Sequence, residues 1–148
     1  MMSELLSNKP LIAAIIAWAL AQLIKVILDS VFSRKLSLKS LVASGGMPSS
    51  HSSLVSALTT VIAIQYGLGS AYFAIAAVLS MVVMYDAFNV RRAAGEQAKA
   101  INKIFKALME NNFIADEKAM KEILGHSPLQ VLAGFFLGLI TGFIVMKF

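Results

Sequence analysis

The sequence predicts an all-α integral membrane bundle of about four transmembrane helices with an amphipathic cytoplasmic helical insertion. Three observations carry that expectation. Apolar residues make up 58% of the 148 positions and charged residues only 14%, against about a quarter in soluble domains. Mean hydropathy is +0.77. The apolar residues fall into runs long enough to cross a bilayer, which takes about 20 residues at about 1.5 Å each. That composition excludes a disordered chain, a coiled coil and an ordinary soluble enzyme. One domain, residues 1–148, is expected.

The first span is Leu11–Phe32, read as retained because no small-residue cleavage pattern follows a short apolar core. The second, His51–Leu68, is diluted by Ser52, Ser53, Ser56, Thr59 and Thr60, hydroxyls that suit a span buried among other helices. Tyr66-Gly67-Leu68-Gly69-Ser70 then predicts a tight hairpin into the third span, Ser70–Val90. Between about residues 96 and 124, Ile101, Ile104, Phe105 and Leu108 recur at helical spacing beside Lys99, Lys103 and Lys106. This amphipathic insertion either lies on the bilayer surface or is a solvated connector. Asn111-Asn112 breaks it, and Asp116 is placed to cap a second short helix. The last span is Pro128–Lys147, with Ser127 as its cap and Pro128 at its first position. Gly134, Gly138 and Gly142 in this span, and Ala13, Ala17 and Ala21 in the first, form rows that let helices approach closely. Packing within one chain is the favoured use of both rows, with a homodimer contact as the alternative.

Net charge is +5. The two loops that share one side, Ser33–Ser50 and Arg91–His126, hold ten basic residues, whereas the other side has Lys9 and Lys147. The positive-inside rule makes those loops cytoplasmic, in the cell membrane. With no cysteine, disulfides and thiolate metal sites are excluded. Basic residues interrupted by apolar runs, without base-stacking aromatics, argue against nucleic acid.

The polar residues converge on that same side. His51 and His126, the two histidines of the chain, each start a span, and spans two and four run in the same direction. Their N-termini offer unpaired N–H groups and positive dipole ends, a ready anion site. The ends of spans one and three bring Lys25 and Asp29, then Asp86, Arg91 and Arg92. Ionisable groups inside spans are costly and so mark functional sites; a structural Lys25–Asp29 pair is the plainer alternative. No zinc spacing, nucleophile elbow or P-loop occurs, so no metal or cofactor is expected. What remains is phosphate-ester chemistry on a lipid.

Three blocks in order resemble the divergent branch of the type 2 phosphatidic acid phosphatase family, related to acid phosphatases and vanadium-dependent haloperoxidases. They are Gly45-Gly46-Met47-Pro48-Ser49-Ser50-His51, Asp86-Ala87-Phe88-Asn89-Val90-Arg91-Arg92, and Gly125-His126-Ser127-Pro128. The likeness runs from about Lys25 to the C-terminus. It implies a metal-independent phosphatase acting on a lipid phosphate monoester or pyrophosphate. On that likeness His126 is the nucleophile, carrying a phosphohistidine, and His51 the general acid. Lys25, Ser49, Ser50, Arg91 and Arg92 would hold the phosphate. Gln130 stands where the family's carboxylate would orient the nucleophile, and Asp86 is a second candidate for that role. Ser50 replaces the family's glycine in the Pro-Ser-Gly-His block. The rival expectation is a non-catalytic lipid-phosphate binder, transporter or accessory subunit that keeps the phosphate cradle. Four spans enclose little volume, so a homodimer would complete a lipid groove.

Overall fold

The computed structural model describes residues 2–33, 46–110 and 125–148. Of these residues 88% are helical, with no strand among them. The helices are α1 (Met2–Leu6), α2 (Lys9–Ser33), α3 (Ser50–Tyr66), α4 (Ala71–Tyr85), a π-helical turn (Asp86–Val90), α5 (Arg91–Glu110) and α6 (Pro128–Lys147). The protein is an all-α membrane bundle. The first loop between residues 34 and 45, and the second short helix expected after Asp116, lie outside the described residues.

Length and composition alone select three spanning helices rather than four: α2, the continuous helix Ala71–Glu110, and α6. The one left out is α3, 17 residues long and rich in hydroxyls. Its polarity suits its place, because α3 is the central helix, packed against α2, α4 and α6. Hydroxyls on such a helix can bond to neighbouring protein groups instead of meeting lipid. Ser53 Oγ donates to Ala17 O of α2 at 3.0 Å, and Ser80 Oγ of α4 donates to Val55 O at 3.0 Å. The outward faces stay apolar, with Ile75, Met81 and Phe136 all exposed.

Both small-residue rows are used inside the chain. A β-carbon on Gly134 would collide with Ser49 O, one on Gly138 with Ser53 O, and one on Gly142 would lie 2.7 Å from Thr60 Cβ. On α2, Ala13 and Ala17 close onto Ala57 and Val61 of α3. Small side chains therefore set the α2–α3 and α3–α6 distances, and the glycine row faces α3, not a dimer surface.

The turn after α3 matches its expectation. Gly67 adopts φ +79°, a left-handed value favouring glycine, and its N–H donates to Ala63 O at 3.0 Å. Ser70 then caps α4 by accepting from Phe73 N–H at 3.1 Å. The next junction differs from expectation. No loop separates the third span from the insertion, because the π turn carries α4 directly into α5, which begins at Arg91 and not near residue 96.

Candidate phosphate site

Two helix N-termini build the site. Ser49 caps α3: its hydroxyl accepts from Ser52 N–H at 3.4 Å and from Ser52 Oγ at 3.0 Å. Ser127 caps α6 in a reciprocal box, accepting from Gln130 N–H at 3.3 Å while Gln130 Oε1 accepts from Ser127 N–H at 2.9 Å. The caps are tied together, since Ser49 N–H donates to Gln130 O at 3.0 Å. The glycine contact at Gly134 permits that approach.

The π turn supplies the third side. In it Arg91 N–H donates to Asp86 O, five residues back, instead of to Ala87 O four residues back. Ala87 O accepts from His126 N–H at 3.0 Å and so anchors the histidine's backbone. The same five-residue turn brings Arg91 Nε within 2.6 Å of Asp86 Oδ2. Gly125 lets the chain pass this close, because a β-carbon there would collide with Arg92 backbone.

The two histidines meet: their ring centroids are 6.5 Å apart at 80°. His51 is exposed on the first turn of α3, whereas His126 is 1% exposed. Neither ring nitrogen of His126 has a hydrogen-bond partner among the described residues. A buried polar group left unpaired costs about 1–3 kcal/mol, so the ring is poised to gain from a ligand. Lys25, 2% exposed, reaches up from α2 and donates through Nζ to Ser50 Oγ at 3.2 Å. Flanking His126 is a cavity of about 300 Å³ lined by Gly46, Arg92, Glu96, Ser127 and Gln130, among others.

The structure thus brings His51, His126, Lys25, Ser49 and Ser50 together at one end of the bundle. It divides the arginines, with Arg91 held by Asp86 and Arg92 lining the cavity. Gln130 does not reach the His126 ring, because its side-chain carbonyl closes the α6 cap. Asp86 bonds Arg91 rather than His126. Sequence reading missed Ala87, whose role is a backbone carbonyl freed by the π turn. Among the described residues no group of three or more His, Asp and Glu side chains is placed to hold a metal ion.

His126 lies outside the spanning helices, and its imidazole is pushed down to about 4, by burial first and then by positive charge at Lys25, His51 and Arg91. It is neutral near pH 7, with a lone pair available. Below its ordinary value of 6.5 the unfolded chain takes up a proton that the folded chain refuses. This group should therefore weaken the fold by up to about 1.4 kcal/mol per pH unit as pH falls, levelling off once His126 protonates in the fold. The window runs from 6.5 down to about 4. Melting temperatures of wild type and His126→Asn across that window test this: an unchanged slope in the variant would remove His126 as its source.

An all-helical membrane protein with paired histidines and flanking cations at two joined helix N-termini is the class that fold and site define. The chain belongs to the Divergent PAP2 family, whose family model matches residues 6–141. It is similar to a Bacillus subtilis protein described as the uncharacterized membrane protein YuiD, at 40% identity over 157 aligned positions covering 98% of each chain. No solved structure gives a significant match.

Proposed function

We propose that this protein is a membrane phosphatase for a lipid phosphate monoester or pyrophosphate, working through a phosphohistidine on His126. The observation that carries the reading is the buried, neutral His126 ring, unpartnered among the described residues, beside His51 and Lys25. A His126 ring nitrogen attacks phosphorus opposite the leaving oxygen, and the phosphorus–oxygen bond breaks. His51, protonated once the phosphate anion is bound beside it, gives its proton to the departing oxygen. Neutral His51 then takes a proton from water as that water's oxygen attacks phosphohistidine. The phosphorus–nitrogen bond breaks, phosphate leaves, and both histidines return to their starting states. Such transfer needs alignment and charge stabilisation above all. Ser49 Oγ accepts twice within the α3 cap and keeps its own hydrogen for a phosphate oxygen. The Lys25 ammonium has further N–H groups beyond the one given to Ser50, and Arg91 and Arg92 supply positive charge from the π-turn side.

One observation favours a second reading, a non-catalytic lipid-phosphate binder or transporter. Gln130 is committed to its cap, leaving the His126 ring without an orienting acceptor among the described residues.

The test is phosphate release from phosphatidate, phosphatidylglycerol phosphate and prenyl pyrophosphates by detergent-purified protein, with orthovanadate as competitor. Vanadate-sensitive release is expected. Thermal protection by vanadate without release would select the binder, and no effect of vanadate on folded protein would reject the phosphate site. The site is assigned to the cytoplasmic side from the basic loops, so inside-out vesicles should hydrolyse added lipid and sealed right-side-out vesicles should not.

A further inference from the structure

Lys25 is a buried cation, and two groups compete for it. Asp29, four residues further along α2, attracts its ammonium. Ser50 Oγ, in the first turn of α3, accepts from that ammonium at 3.2 Å. Charge alone favours Asp29. The N-terminus of α3 is the positive end of a helix dipole, and His51 and Arg91 act from the same side, so a cation is repelled there.

The lysine nonetheless lies at Ser50. Its stem rests against the chain before α3, since a β-carbon added to Gly46 would lie 3.6 Å from Lys25 Cδ. Its head is held by the hydroxyl, and both partners are buried, Lys25 at 2% and Ser50 at 3% exposure. Hydrogen bonds to a charged group are the stronger class, and water does not replace one in a buried site. Of the charges acting on His126, Lys25 is the strongest, so the head that Ser50 holds is the one with most effect on that ring. Ser50 stands where the Pro-Ser-Gly-His block has glycine, and glycine offers no side-chain acceptor.

We propose that Ser50 is a positioning residue: its hydroxyl draws the Lys25 ammonium away from Asp29 and holds it beside the histidines, ready for an oxyanion bound between them. Ser50 then acts through Lys25 and not by its own contact with phosphate. This assignment rests on the phosphate reading of the site and deepens it. It gives the serine that replaces the family's glycine a use, because one hydroxyl decides which of two partners the buried cation faces.

Orthovanadate binding, read as thermal stabilisation of folded, detergent-purified protein, tests the assignment. Ser50→Ala should weaken vanadate about tenfold, the scale of one hydrogen bond to a charged group. Adding Asp29→Asn to Ser50→Ala should recover most of that loss, since the competing carboxylate is gone. In a Lys25→Met background, Ser50→Ala should cost less than about twofold, because its effect passes through the lysine. A loss that merely reflected damage to α3 would show neither dependence. Ser50→Gly, the family's own residue, repeats the comparison if the alanine variant does not fold. Equal vanadate binding by wild type and both Ser50 variants overturns the proposal, as does a loss that Asp29→Asn leaves unrelieved or that persists in Lys25→Met. Vanadate that fails to stabilise wild type overturns it together with the phosphate site. Turnover is a separate arm: coupling of Ser50 to Lys25 without phosphate release removes the phosphatase and keeps the positioning role, whereas release without coupling does the reverse.

Discussion

His126→Ala should lower phosphate release about a thousandfold or more, the scale on which removing an attacking group acts. The substitution deletes the ring but keeps the backbone N–H that donates to Ala87 O, so the α6 entry stays anchored. It also removes two buried nitrogens that have no partner among the described residues, so the melting temperature near neutral pH should hold or rise. His51→Ala should cost about a hundredfold to ten-thousandfold, the range for a general acid. Its loss should shrink with a phenolic leaving group that departs without a proton. Turnover that persists in His126→Ala would rule out the phosphohistidine. Equal losses for alkyl and phenolic substrates in His51→Ala would rule out its role as acid.

Gly138→Val should abolish the folded bundle or destabilise it by about 3 kcal/mol or more. The new β-carbon would meet Ser53 O and lie 2.8 Å from Ser56 Cβ, in the contact that joins α3 to α6. Backbone cannot swing aside as a flexible side chain can, so the helices would have to part along the whole row. Parting them also breaks the bond between Ser49 N–H and Gln130 O that ties the two caps together. Activity and vanadate protection should therefore disappear together with the monodisperse peak in size-exclusion chromatography. Gly69→Ala is the matched control, since nothing lies within 4 Å of its added carbon. A well-folded Gly138→Val protein would mean that the close α3–α6 contact is not what holds this bundle.

The features readable from residues alone are those written locally along the chain. Apolar run length marks α2, α4 and α6; Ser127 marks the start of α6, and Pro128 sits at its first turn where its missing N–H costs nothing. The glycine row on α6 is legible as a close-contact face, though not which helix it touches. Parallel direction of spans two and four, together with two histidines at their starts, puts His51 and His126 on one face before any coordinates are known. Their meeting at 6.5 Å adds that they are neighbours there.

Other features arise only when helices pack. Whether Lys25 reaches the site depends on the offset of α2 along α3, which places its ammonium at Ser50. The split between Arg91 and Arg92 follows from one extra residue in the π turn, which pairs positions five apart and frees Ala87 O for His126. Gln130 reads as a possible partner for His126 by position, yet the nearer Ser127 N–H takes its carbonyl, because closing a helix cap requires no change in how helices sit. Periodicity, caps and charge state which face of each helix is apolar, where it begins and which side of the membrane it favours. They are properties of one segment at a time. Contacts between segments depend on small side chains meeting backbone across α2, α3 and α6, and no single segment specifies the height at which its neighbour stands.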